Sequence, residues 1–343
     1  MSPHLLDVGS WSFPGIWSLG FGIWLAQYNA SPRMPVLAPG LAWVDLQFRG
    51  SPNVIATAVV SDAGGVALVD PGPASCLDAL ELGLNGLGIR VTDVTHILLT
   101  HVHLDHAGAT GTIVRRVPSL KVFVHERGTP HLVDPTRLVS SATRLWGDQM
   151  HALWGEVAPV PPANIVTLGG VRATPDLLDR VAAAGRTFEV AYTPGHASHH
   201  VSFFDRSSGV AFVGDVAGVR IRGDYVRPPT PPPDIDVELW IDSAARVERW
   251  DPGTLFLTHF GPSGSVRPHL QSLIENLRAS AEWVRVSLSE PGTDEERAQR
   301  YAKYVNRELK RHLTEEQILP HHVGAPFEVS WLGLARYWRK KGG

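Results

Sequence analysis

The chain has 343 residues, with 31 Lys and Arg against 34 Asp and Glu, a net charge of −3 and a pI of about 6.6. That balance excludes a general nucleic-acid binder, which needs a basic surface for phosphates; 43% hydrophobic and 19% charged residues exclude a disordered chain. A single cysteine, Cys76, excludes an internal disulfide and a Cys-rich metal site, so any metal site must draw on the 16 histidines with Asp and Glu.

Residues 1–33 stand apart. No charged side chain occurs from Val8 to Pro32. The densest apolar part, residues 11–26, is broken by Pro14, Gly15, Gly20 and Gly22, and a membrane helix needs roughly 20 apolar residues in a row. The start, MSPHLLD, lacks the basic residues of a secretory signal. The expectation is an apolar arm packed on its own domain or a partner, or an upstream extension with Met34 as the natural start. Stable membrane insertion is not expected, and the expected location is the cytoplasm.

From residue 36 the text is that of a globular domain. Residues 41–48 and 55–61 read as strands around the Gly50-Ser51-Pro52 turn, and 66–69 as a short buried strand running into Asp70-Pro71-Gly72. Residues 74–87 have helical spacing, with Leu77, Leu80 and Leu84 on one face. A strand is expected at 94–99, a helix at 107–117 and a strand at 121–124. Trp146, Met150 and Trp154 fall at i, i+4 and i+8, one helical face, which is expected as core or else as the wall of a pocket. Pro159, Pro161 and Pro162 then mark a loop with no strand signal. Three strands follow at 188–193, 201–205 and 210–213. Residues 228–233 form a rigid Pro-rich loop, 237–250 a helix and 254–258 a buried strand. From Pro268 the chain is mostly helical; 295–312 is charged and amphipathic, and Trp331, Leu334 and Trp338 share a face. The expected division is the arm 1–33, a catalytic body 34–264, and a helical extension 265–343 packed on that body.

The chemistry concentrates in THVHLDHAG. His101 and His103 are two apart, so in extended backbone both rings point the same way. Asp105 and His106 sit where the chain turns into a helix. Imidazoles and a carboxylate suit a divalent transition metal of zinc type. Four such groups in one turn are too many for one ion, which suggests two. Further ligands are expected where other strands stop: His196 in TPGHASHH, Asp215 in FVGDVAG and His259 in LFLTHFG.

This set resembles the metallo-β-lactamase superfamily, whose signature is H-x-H-x-D-H followed by His, Asp and His. The resemblance implies an α/β fold, the αββα four-layer sandwich, with the site at one edge of two sheets. It places His101, His103 and His196 on one metal, Asp105, His106 and His259 on the other, and Asp215 between them. It makes Asp70 in LVDPGP the residue that orients the ligand loop. The implied activity is hydrolysis, in which two divalent ions activate water for attack on a carbonyl or phosphoryl centre. Zinc is expected, with manganese and iron as alternatives. Asp105, Asp215 and His200 are the expected catalytic residues, Asp105 or a nearby histidine passing a proton to the leaving group. His125, His131 and His151 are expected to be non-ligands.

An aspartate at 215 resembles glyoxalase-II-like enzymes, lactonases and RNA-processing nucleases, and the net charge of −3 with no Lys/Arg-rich insert argues against the nucleases. Trp146, Met150, Trp154, Tyr225 and Trp240 are expected to line an apolar pocket. The expected function is therefore a broad-specificity ester or lactone hydrolase for uncharged hydrophobic small molecules, with phosphotriester hydrolysis as a side activity. The alternatives are a glyoxalase-II-like thioesterase, a β-lactamase-like amide hydrolase, and a metal-binding sensing module without turnover. No nucleic-acid partner is expected, and a homodimer is compatible.

Overall fold

The computed structural model describes residues 36–169, 178–324 and 326–342; the expected arm 1–33 lies outside them. Seven strands make the first sheet, in chain order: β1 (Val36–Ala38), β2 (Leu41–Asp45), β3 (Ala56–Asp62), β4 (Gly65–Val69), β5 (Val94–Leu98), β6 (Lys121–His125) and β7 (Ile165–Leu168). Pairing is antiparallel from β1 to β4 and parallel from β4 to β7. Parallel neighbours need crossovers. These are supplied by helix α1 (Leu77–Gly86), then α2 (Leu104–Ala107) with α3 (Thr110–Arg116), then α4 (Thr129–Val133), α5 (Thr136–Trp146) and α6 (Met150–Trp154).

The second sheet holds β8 (Asp179–Ala183), β9 (Arg186–Tyr192), β10 (Val201–Asp205), β11 (Val210–Phe212), β12 (Thr254–Leu257) and β13 (Gly261–Ser263), in the spatial order β13-β12-β11-β10-β9-β8. Helix α7 (Val237–Arg249) joins the parallel pair β11 and β12. Four helices follow: α8 (Val266–Leu288), α9 (Asp294–His312), α10 (Glu315–Gly324) and α11 (Phe327–Lys340).

Burial sorts into layers. Leu41, Val60, Val69, Leu98 and Phe123 of the first sheet meet Val190, Phe203, Phe212 and Phe256 of the second in one core between the sheets. The outer face of the first sheet buries α1 and α3 through Leu80, Leu84 and Ile113. The outer face of the second buries α7, α8, α9 and α11 through Trp240, Leu277, Tyr301 and Trp331. This is the four-layer α/β sandwich implied by the sequence, with its C-terminal helices added to the second outer layer. Trp331 and Trp338 dock there: their indole N–H groups donate to Ser287 Oγ at 2.9 Å and the Ala281 carbonyl at 2.7 Å. Among the described residues no helix is long and apolar enough to cross a membrane.

Several elements differ from expectation. The single helix at 107–117 is two, because the chain first turns through α2, which carries Asp105 and His106. The Trp146–Met150–Trp154 stripe is not one helix: Gly147, at φ +49°, ends α5 and a 3-10 turn precedes α6. The two tryptophans still meet edge-on, with centroids 5.6 Å apart. Strands β1, β7, β8 and β13 give little periodic signal. They are three to five residues long, and each is defined by the neighbour it pairs with.

Two buried histidines away from the metal-ligand candidates shape acid stability. His125 stacks on Tyr192, with centroids 4.6 Å apart, and His269 Nε2 donates to the Ala217 carbonyl at 2.8 Å. Burial pushes both from 6.5 down to about 4. The unfolded chain therefore binds more protons between those values, and stability falls as pH drops from 6.5 toward 4. Each full proton of difference contributes a slope of about 1.4 kcal/mol per pH unit. Urea unfolding at pH 7.5, 6.0 and 5.0 should show this loss, and His125→Phe should flatten it. An unchanged slope in that variant would refute the assignment.

Candidate metal centre

The topology places five loops at one edge. β4 and β5 are parallel, so the segments after them, carrying Asp70 and His101, leave the same edge of the first sheet. In the second sheet β9 and β11 both run antiparallel to β10, and β12 runs parallel to β11. The loops after β9, β11 and β12, carrying His196, Asp215 and His259, therefore also leave one edge. Backbone bonds join the two edges: Ala56 N–H donates to the Thr258 carbonyl, and Val201 N–H to the Thr100 carbonyl, each at 2.8 Å.

All seven expected ligand residues converge. His103 Nδ1 lies 2.9 Å from His101 Nε2 and 3.0 Å from His196 Nε2. On the other side, Asp105 Oδ2 is 3.3 Å from His259 Nε2 and 3.8 Å from His106 Nε2. Asp215 spans the two groups. Its Oδ2 is 3.4 Å from His196 Nε2, and its Oδ1 is 3.3 Å from His106 Nε2 and 3.7 Å from His259 Nε2. The donor atoms of His101, His103 and His196, of His101, His106 and Asp215, and of Asp105, His106 and His259 each fall within 4.8 Å of one another.

Neighbours fix which nitrogen faces inward. His106 Nδ1 donates to Asp70 Oδ2 at 2.8 Å, His196 Nδ1 to the Pro229 carbonyl at 2.9 Å, and His259 Nδ1 to the Val54 carbonyl at 2.7 Å. Each bond leaves Nε2 with its lone pair toward the cluster, as a metal ligand requires. Asp70 has no exposed surface. Besides His106 it accepts from Thr100 N, Thr100 Oγ1 and Thr258 Oγ1 at 2.7–2.8 Å, so it ties three loops together. Gly195 has φ +126°, and a Cβ there would lie 2.3 Å from the Trp240 backbone nitrogen. Only glycine brings the His196 loop this close to α7.

The electrostatics suit a cation. Burial, then the surrounding histidines, holds His101 well below the ordinary range. Burial, with His196 next, brings His103 to about 4. Burial works against charge on Asp105, but His106 and His259 outweigh it and lower it to about 2. Burial likewise opposes charge on His106 and His259, yet the carboxylates Asp215 and Asp105 raise both. One end thus holds neutral imidazoles, and at the other the paired carboxylates favour positive charge, which a cation would supply. His106 Nε2 and Asp215 Oδ1 are buried with no hydrogen-bond partner. Buried polar atoms are rarely left so, and the His and Asp donor set suits divalent metal ions.

Other expected site residues fall elsewhere. His200 packs behind His101: it is fully buried, its ring is 5.0 Å from that of His101, and its Nδ1 bonds Thr193 Oγ1 at 2.9 Å. Burial keeps its ring neutral well below the usual range, and its Nε2 is buried without a hydrogen-bond partner. The expected pocket lining does not assemble either. Trp154 is core, stacked on Phe48 at 5.7 Å. Trp240 has no exposed surface, stands behind His196 and donates to the Val216 carbonyl at 2.8 Å. Trp146 and Met150 are half-buried against the outer core of the first sheet. Tyr225 packs on the opposite outer core, 5.1 Å from the His312 ring. Of the five, Trp154 and Trp240 are core, since packing on all sides is what buries so large a ring.

Sequence reasoning missed the threonines. Thr100 precedes His101 and Thr258 precedes His259, and both hydroxyls serve Asp70; the repeated Thr-His pair was the available signal. The Pro229 and Val54 carbonyls left no such trace.

The family model described as the metallo-beta-lactamase superfamily matches residues 51–259. The chain is 28% identical over 169 residues to the metallo-beta-lactamase fold-containing protein ST1585 of Sulfurisphaera tokodaii, covering 48% of this chain and 60% of that one. It is 26% identical over 167 residues to a hydroxyacylglutathione hydrolase of Legionella pneumophila, covering 48% of each. The match thus spans less than two thirds of either relative. The crystal structure of the metallo-beta-lactamase family protein TTHA1429 from Thermus thermophilus superposes with a TM-score of 0.63 at 24% identity, over 90% of this chain and 95% of that one.

Proposed function

This chain belongs to the metallo-β-lactamase superfamily, and from that premise we propose that it is a dinuclear metal-dependent hydrolase acting on the carbonyl of an ester or lactone. The observation that carries the reading is the reach of Asp215, one carboxylate with an oxygen at each histidine group. His101, His103 and His196 would hold one ion, Asp105, His106 and His259 the other, with Asp215 shared. Bound ions would supply the Lewis acidity that lowers the pKa of water toward neutrality and polarises a substrate oxygen.

The chain's own residues do the rest. Asp70 fixes the His106 ring and the two Thr-His turns. The Pro229 and Val54 carbonyls hold His196 and His259 in the tautomer that faces the ions. Asp105, whose side chain is 25% exposed, is the carboxylate through which a proton can leave toward the departing group. Phosphotriester hydrolysis is the expected side activity, since the same charges suit a phosphoryl centre. Likeness to hydroxyacylglutathione hydrolases supports thioester hydrolysis as the second reading.

A chelator should stop hydrolysis of a chromogenic aryl ester by the purified chain, and zinc or manganese should restore it. The same sample, offered acyl-lactones, aryl esters, aryl phosphotriesters, thioesters and a β-lactam, should turn over an ester or lactone fastest. Turnover of the thioester alone would replace the first reading by the second. Retained metal with no turnover of any of them would favour the sensing module.

A further inference from the structure

The chain after Asp215 carries a second buried charge. The backbone of Arg227 pairs with that of Val219 through two bonds of 2.8 Å, and two residues on, the Pro229 carbonyl holds His196. Arg227 is thus built into the wall behind the metal centre. Its side chain is 6% exposed. Among the described residues no hydrogen bond or ion pair engages its guanidinium, and Nε is buried without a partner. The Phe327 ring lies 5.2 Å away. An arginine does not escape burial by losing its proton, so a charge kept here without an anion is strongly unfavourable.

A second unpartnered group lies in its field. His321, on α10, has no exposed surface. Its Nε2 donates to the Ile221 carbonyl at 2.8 Å, leaving the buried Nδ1 with a lone pair and no donor. Burial first, then the positive charge of Arg227, keeps this ring neutral. The surroundings come from the C-terminal helices: Phe327 from α11, His321 from α10 and Tyr301 from α9.

We propose that Arg227 receives an anionic group, a carboxylate or phosphate, carried by the substrate at the end remote from the scissile bond. A planar guanidinium matches such oxygens in pairs, and His321 Nδ1 accepts from a hydroxyl or water beside them. The proposal rests on the hydrolase reading, and it replaces the uncharged substrate expected from the sequence.

The test compares three 4-nitrophenyl esters of equal chain length on the metal-loaded chain: one neutral, one ending in a carboxylate, one in a phosphonate. One anionic ester should exceed the neutral one in kcat/KM by about tenfold or more, mainly through KM, and which one names the group. Arg227→Met should cut that ratio by about tenfold; Arg227→Lys should cut it severalfold, since an ammonium lacks the paired donors. No preference in the wild-type chain, or an unchanged ratio in the variants, overturns the proposal. Should the Met variant fail to fold, the Lys variant decides. Should no ester be hydrolysed, the ester reading fails, and calorimetric titration with glutarate and with 3-phosphonopropionate still decides on Arg227. Heat of binding that is lost in Arg227→Lys supports the proposal. No heat from either probe, or heat unchanged in that variant, overturns it.

Discussion

Asp215→Ala is expected to lower kcat on the best ester by on the order of a thousandfold, roughly 4 kcal/mol of barrier, while the fold survives. Asp215 sits in a short 3-10 turn after β11, with its carboxylate 5% exposed. The backbone bonds that hold the turn, Val216 to Val213 and Gly218 to Asp215 at 3.2 and 2.9 Å, do not use the side chain. Removing the carboxylate therefore leaves the loop in place. It takes away the oxygens facing His196 on one side and His106 with His259 on the other. Bound metal should fall from two ions toward one per chain by elemental analysis, with an unchanged circular dichroism spectrum. An unchanged rate with both ions retained would sink the shared-ligand role.

Asp70→Ala should have the largest effect on stability. Four donors converge on this buried carboxylate: Thr100 N–H, the Thr100 and Thr258 hydroxyls, and His106 Nδ1. Stranding the partners of a buried charge typically costs about 3–5 kcal/mol. Three loops would lose their common anchor at once. Asp70 also holds φ +52°, a conformation asparagine tolerates better than alanine. Asp70→Asn should therefore fold, with a smaller loss of about 1–3 kcal/mol. It should still bind metal weakly, because an amide nitrogen turned toward His106 offers no acceptor. Urea midpoints and metal content separate the two effects. Wild-type midpoint and wild-type metal content in Asp70→Asn would refute the anchoring role.

Long periodic segments were legible for a local reason. The helix at 237–250 and the charged one at 295–312 carry their own signals; Asp236 caps the first, and Thr293 with Glu296 boxes the second. The short strands β7, β8 and β13 carry none, because three to five residues hold too little alternation to stand out.

By itself the sequence determined which residues meet at the metal centre. Histidine and carboxylate side chains placed directly after buried strands can only gather at the strand ends, and the order of those motifs is written in the chain. Only the tertiary structure decided what surrounds them. Whether an aromatic is wall or core depends on what packs across from it: Trp154 has Phe48 and Trp240 has the His196 loop, partners over a hundred and over forty residues away. Whether a charge is paired is equally non-local. Arg227 reads as one arginine among several in VRIRGDYVR, and only the closing of α9, α10 and α11 over it leaves it buried with no anion among the described residues.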